Sequence, residues 1–351
     1  MADIKDVAAR AGVSIASVSR VLNGSKPVTD HTRDRVLAAV HDLNYSIDQR
    51  ARSLRRQRSG TLGLILAEVR NPFFTQVIHS IEDVAYQSNN SLFLCNSDEN
   101  PERERFYLEL MQAQRIDGII LLPVTSSGDA LSPLLRHDVP VVCLDRRVDD
   151  VDLDSVLVDN VAGAMMAVEH LVVLGHRRIG YIGGRLVTPG IERLEGFRRG
   201  LTAYGLGEHP ELIRQGDSMQ ESGYRETLAL LALDVVPSAI FAINNPMSLG
   251  VMAAIKERGL RIPQDISVIG FDDAPWSGLL NPPLTTIAQP TDALGTAAAR
   301  LLLERIEGGD NGAVQHIVMM PHLIKRASTG PPPIAGTMSP LHPTTGEERG
   351  A

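Results

Sequence analysis

The chain has 351 residues, enough for two or three compact domains, and an apolar content of 43% supplies their cores. Its longest apolar runs, TLGLILA and GIILLPV, are far too short to span a bilayer and no charged-then-apolar leader opens it, so the expectation is a folded cytoplasmic protein with no membrane partner. The net charge of −8 is unevenly spread: residues 1–60 carry 11 Lys plus Arg against 6 Asp plus Glu, a local +5, leaving 23 against 36, or −13, for the rest. This excludes a uniformly acidic protein and describes a small basic module, suited to phosphates, on an acidic body.

In KDVAARAGVSIASVSRVLNG (5–24), Ile4, Val7 and Ala8 recur on one helical face, Gly12 supplies a permissive turn, and Ser14 caps a helix that begins at Ile15. Val18, Val21 and Leu22 then face inward, which describes a helix-turn-helix. The second helix is expected to present Ile15, Ala16, Ser17 and Arg20 outward. Ile15 and Ala16 suit thymine methyl groups in a major groove, and Arg20 suits guanine. A generic helical hairpin with these as surface residues is the alternative.

HTRDRVLAAVHDLN (31–44) reads as a third amphipathic helix with Val36, Leu37, Val40 and Leu43 on one side. YSIDQRARSLRRQRSG follows, with arginines at 50, 52, 55, 56 and 58 and Leu54 the large apolar residue among them. So short a helix is marginal alone, so this segment either folds on a polyanion, with Leu54 as a minor-groove wedge, or is a solvated basic linker.

From residue 60, apolar runs alternate with amphipathic stretches: TLGLILA, helix 73–88, SLFLCN, helix 102–114, DGIILLP, 129–137, VPVVCLD. A second series runs helix 161–174, RRIGYIGG, helix 190–204, ELIRQGD, helix 221–232, SAIFAIN, helix 246–258, DISVIGFDD. The pattern implies two α/β lobes with a ligand crevice at the carboxyl ends of their strands. Cys95 and Cys143 fall in buried strands, where a thiol is a small hydrophobe. NPPLTTIAQP crosses in extended form to a last helix at 291–307, and the Pro/Gly/Thr-rich tail is expected to be disordered.

The blocks IKDVAARAGVSIASVSRVLNG, LNYSIDQRARSL, TLGLIL with NPFF, GHRRIGYIGG, RLEGFRRGL, GLRIPQDISVIGFDD and PPLTTIAQP together resemble LacI/GalR-type bacterial transcriptional repressors over residues 3–329. The resemblance implies a helix-turn-helix headpiece (1–45), a hinge segment (46–59) carrying a hinge helix, a two-lobed core like periplasmic binding proteins (60–329), built of parallel sheets flanked by helices, and a disordered tail (330–351). It also implies a homodimer, sometimes a tetramer, on a near-palindromic double-stranded DNA operator. Ile15, Ala16 and Arg20 would read bases, Ser17 and Ser19 would hold phosphates, Asn23 and Arg52 would complete the DNA contacts, and Leu54 would insert at the operator centre.

By the same match, a sugar-like effector would be lined by Phe73, Phe74, Asp145, Arg146, Arg193, Asn244 and Asp272. Two departures stand out. Ser218 replaces the aromatic that many relatives carry after QGD, which leaves stacking to Phe73 or Trp276, and Asn244-Asn245 replaces the commoner Asn-Asp. A nucleoside, nucleobase or sugar-phosphate corepressor is the alternative ligand. No cofactor or metal is expected. A sugar-acting enzyme is disfavoured, since the chain shows no Walker A loop, Gly-x-Ser-x-Gly elbow or metal-ligand cluster.

Overall fold

A computed structural model describes residues 2–23, 28–43, 45, 58–308 and 312–333. The side chain of Asn23, all of Arg52 and Leu54, the hinge helix and residues 334–351 lie outside the described residues. The chain divides into two compact units, Met1–Ser59 and Gly60–Ala351. Among the described residues, no helix is long and apolar enough to cross a membrane.

In the first unit, α1 (Ile4–Ala11) starts at a reciprocal cap. Asp3 Oδ1 accepts from the N–H groups of Lys5 and Asp6 at 2.7 and 2.9 Å, while Asp6 Oδ2 accepts from Asp3 N–H at 2.8 Å. Gly12 ends α1 at φ +61°, a left-handed conformation that glycine adopts without the steric cost other residues meet. Ser14 Oγ accepts from Ser17 N–H at 3.1 Å at the start of α2 (Ile15–Asn23). Thr29 caps α3 (Asp30–Asp42). Val7, Ala8, Ala11, Val18, Val36 and Ala39 form the core. Leu37 does not join it: it is half-exposed, because the buried face of α3 runs through 36, 39, 40 and 43 and Leu37 lies one residue round the helix.

The second unit holds two six-stranded sheets of matching order. Before the first crossover come β1 (Thr61–Leu66), α4 (Pro72–Gln87), β2 (Ser91–Asn96), α5 (Pro101–Ala113), β3 (Gly118–Leu121), the short α6 (Ser132–Leu135), β4 (Val141–Leu144) and β5 (Asp154–Val158). Then follow α7 (Asn160–Val173), β6 (Ile179–Gly183), α8 (Thr188–Ala203), β7 (Ile213–Gln215), α9 (Gln220–Leu231), β8 (Ala239–Ala242), α10 (Asn245–Glu257), β9 (Ser267–Phe271) and β10 (Thr285–Ala288). The chain closes with α11 (Thr291–Ile306), β11 (His316–Met319) and β12 (His322–Ile324).

Sheet order is β11-β5-β4-β3-β1-β2 in one lobe and β12-β10-β9-β8-β6-β7 in the other; the first is wholly parallel, and the second is parallel except for β12. The polypeptide therefore passes between lobes three times, after β5, after β10 and between β11 and β12. Helix α11 returns to the first lobe and packs on α4. Lobe cores are apolar and aromatic, Tyr181, Phe197 and Phe241 clustering at the centre of the second.

Two further features, besides Leu37, differ from the sequence reading. Strand β2 is an edge strand that exposes Phe93 and Leu94, with Cys95 turned inward, so SLFLCN is not buried on both faces. Gly330, at the start of the stretch expected to be disordered, is held: its N–H donates to Ser267 Oγ at 3.1 Å, and its carbonyl lies 2.9 Å from the Nε2 of the buried His176. Tight crossing of α9 and α10 fixes the start of α10, because a Cβ at Gly250 would strike the Gln220 carbonyl and the Tyr224 backbone nitrogen.

Candidate functional site

On α2, Ile15, Ala16 and Arg20 are exposed, with Ile15 at 46% unusually open for an isoleucine. Ser17 and Ser19 are half-buried, and Ser17 Oγ lies 2.9 Å from Ser14 Oγ. The face opposite these residues carries Val18 into the core, which fixes the exposed set as one edge of the helix.

In the second unit a cavity of about 330 Å³ lies between the lobes, walled by residues just beyond strand ends and at helix starts. The local sequence explains these positions. Asn71, then Pro72, begins α4, with Asn71 Oδ1 accepting from Phe73 N–H at 3.1 Å; Asn244 begins α10 with Pro246 in its first turn. All eight residues expected to face an effector line this one cavity: Phe73, Phe74, Asp145, Arg146, Arg193, Asn244, Asp272 and Trp276.

Arg193, 4% exposed, is the organising cation. Its Nε donates to Asn160 Oδ1 at 2.9 Å and one terminal nitrogen donates to the Ile243 carbonyl at 2.6 Å. Its other terminal nitrogen lies 4.0 Å from Asp272 Oδ1, and the guanidinium stacks 3.7 Å over the Phe271 ring. Gln289 Nε2 donates to Asp272 Oδ1 at 2.5 Å. Across the cavity Arg146 grips Glu99 through both terminal nitrogens, at 2.9 and 2.6 Å, while its Nε stays 3.7 Å from Asp145.

Burial dominates the electrostatics. It pushes the Asp145 carboxyl up to about 6, against the opposing pull of Arg146 and Arg193. Asp272 is raised by burial too, opposed by Arg193 and Gln289. Behind this wall, burial raises Glu104 to about 7, although its Oε2 accepts from Val124 N–H at 2.8 Å. Four buried side-chain atoms on cavity-lining residues lack a hydrogen-bond partner among the described residues: Arg146 Nε, and Asn245 Nδ2, Asn245 Oδ1 and Gln289 Oε1 on two residues the sequence reading did not place in the site. Ligand hydroxyls are suited to all of them, because each donates and accepts.

Phe73 and Phe74, edge to face at 5.0 Å, form the aromatic wall of the first lobe. Ser218 presents none opposite: at φ +73° its Oγ accepts from Arg185 N–H at 3.0 Å, and its carbonyl accepts from Asn244 Nδ2 at 3.0 Å. Besides Asn245, the sequence reading missed Glu99 and Gln289. Gln289 carried a signal, a long polar side chain closing the apolar strand of TTIAQP. Glu99 in the loop SDENP carried none, since its partner is 47 residues away.

Comparison with known proteins agrees with both units. The model of bacterial regulatory proteins of the lacI family matches residues 3–48, and that of the periplasmic binding protein-like domain matches 168–329. The chain is 39% identical over 331 residues to the HTH-type transcriptional repressor PurR of Pasteurella multocida, covering 93% of this chain and 98% of that one. It is similar to the lac repressor dimer bound to operator and the anti-inducer ONPF, at 32% identity and TM-score 0.84 over 94% of this chain and 99% of that one. It is also similar to a LacI family transcriptional regulator from Enterococcus faecium with bound ribose, at 31% identity and TM-score 0.69 over 77% and 99%.

Proposed function

This chain belongs to the LacI family of DNA-binding bacterial repressors and is not an enzyme, and on that premise we propose that a neutral polyol, a sugar of monosaccharide size, binds its inter-lobe cavity and sets its affinity for operator DNA. The observation that carries this reading is the pair of buried carboxylates, Asp145 and Asp272, with Arg193 beside Asp272. Carboxylates accept hydrogen bonds from hydroxyls, the guanidinium supplies donors, and Phe73 covers an apolar sugar face.

The ionisable lining argues against a phosphorylated ligand, with six carboxylates (Glu68, Glu99, Asp145, Asp217, Glu221, Asp272) against four arginines (Arg70, Arg146, Arg185, Arg193). The regulator from Enterococcus faecium with bound ribose is consistent with a sugar.

On the DNA side, Ile15, Ala16 and Arg20 read bases, Ser17, Ser19, Asn23 and Arg52 hold the backbone, and Leu54 wedges the operator centre. The protein acts as a homodimer in the bacterial cytoplasm. Tyr86, Phe93 and Phe106 stand exposed on α4, β2 and α5, apolar surface that a second copy would cover. Three chain crossings make a hinge, and a ligand that touches both lobes favours the closed state by its differential affinity.

The test is a thermal-shift and operator-binding screen with D-ribose, D-xylose, D-glucose, D-galactose, uridine, hypoxanthine and ribose 5-phosphate. A sugar that raises Tm and changes operator affinity is the expected result. Stabilisation by the nucleoside, nucleobase or phosphate alone overturns the sugar reading.

A further inference from the structure

The two adjacent asparagines at the start of α10 are used in opposite ways. Asn244 commits both ends of its amide to backbone: Oδ1 accepts from Met247 N–H at 2.9 Å and Nδ2 donates to the Ser218 carbonyl at 3.0 Å. Asn245 is 1% exposed and lines the cavity, and neither its Nδ2 nor its Oδ1 has a hydrogen-bond partner among the described residues.

A primary amide buried without partners is costly to keep, and capping does not account for it, because Asn244 already caps α10. Leucine has the same number and branching of side-chain heavy atoms, is bulkier, and leaves no polar atom unpaired. We infer that Asn245 is a specificity-determining residue of the cavity, which turns one donor and one acceptor toward adjacent hydroxyls of the ligand.

The inference rests on the polyol reading above and adds to it a demand on the ligand. Gln289 Nε2 donates one of its two N–H groups to Asp272, and Gln289 Oε1 has no hydrogen-bond partner among the described residues. Asn245 is a buried uncharged group of the second lobe that offers both a donor and an acceptor; Gln220, which also lines the cavity, is exposed. A carboxylate at position 245 would remove the donor and add a third buried anion to Asp145 and Asp272.

The experiment compares full-length wild type with Asn245→Leu and Asn245→Asp, by thermal melting without ligand and by calorimetric titration with whichever probe in the screen binds wild type. Asn245→Leu is expected to melt at or above the wild-type temperature without ligand and to bind the probe at least tenfold more weakly. Asn245→Asp is expected to melt lower and to lose binding as well. A lower ligand-free Tm for Asn245→Leu marks a structural amide and overturns the inference, as does a Kd within twofold of wild type. Should no sugar bind wild type, the polyol reading fails. The assignment of Asn245 to ligand hydroxyls then falls with it, whereas a sugar that binds wild type and Asn245→Leu equally well overturns the Asn245 assignment alone.

Discussion

Asp145 and Asp272 occupy equivalent places in the two lobes. Each follows the third strand of its sheet order, β4 or β9, in a left-handed conformation, at φ +65° and +72°. Each donates its N–H to the carbonyl of the neighbouring strand, Asp145 to Val156 at 3.0 Å and Asp272 to Ile287 at 2.8 Å. The lobes thus present the same turn from opposite sides, and a ligand between them meets two matched acceptors.

Asp145 carries a pH signature. Its folded value, near 6, stands above the ordinary 3.8, so its proton-linked stability is fully present below pH 4 and is lost as pH rises through 6. Asp145→Asn stays neutral and keeps that stability. The variant is expected to match wild type near pH 4 and to exceed it by about 2–3 kcal/mol above pH 7, while binding ligand about tenfold more weakly. Urea denaturation at several pH values, paired with titration of the ligand, checks both halves.

Removing the Arg193 side chain leaves Asp272 buried beside Gln289 without its cation. Arg193→Ala is expected to cost about 3–5 kcal/mol in denaturant unfolding and to abolish the ligand-induced thermal shift. Arg193→Lys retains charge but loses the fork to Asn160 and Ile243 and the stack on Phe271, and should fall between the two. Equal stability of all three proteins would refute the organising role.

Because Ile15 and Ala16 have no hydrogen-bonding side chain, base discrimination is expected to fall on Arg20. Arg20→Ala should weaken operator binding by about 1–3 kcal/mol and relax preference at one guanine in each half-site. Binding to operators randomised position by position reads this directly, and an undiminished guanine preference would reassign the contact.

Leu54→Ala should weaken operator binding far more than binding to random duplex, since an intercalating wedge acts where the DNA is kinked. The two affinities are compared at one salt concentration, because the phosphate contribution varies with salt. An equal loss on both would make residues 46–59 a solvated basic linker.

Much of this architecture is written locally. The strands of TLGLILA and DISVIGFDD are bounded apolar runs, and Asn-Pro pairs announce α4 and α5. Gly12 and Ser14 mark the turn between α1 and α2. What local pattern does not carry is partnership at a distance. The edge position of β2, the return of α11 and β11 to the first lobe, and the grip of Arg146 on Glu99 depend on which segments meet, and periodicity is blind to that. The difference between Asn244 and Asn245 was hidden for a related reason: identical neighbours in sequence, they are separated only by the direction each takes at the first turn of a helix.

The triple passage of the chain between lobes bears on how the protein is made. Strand β5 gains its outer neighbour only from residues 316–319, and α4 gains its helix partner only from 291–306. A growing chain therefore completes its amino-terminal unit early, while the first lobe waits, with an unpaired strand edge and an uncovered helix, until about 160 further residues have left the ribosome. That interval is when this polypeptide is most open to aggregation, and when a chaperone would matter most.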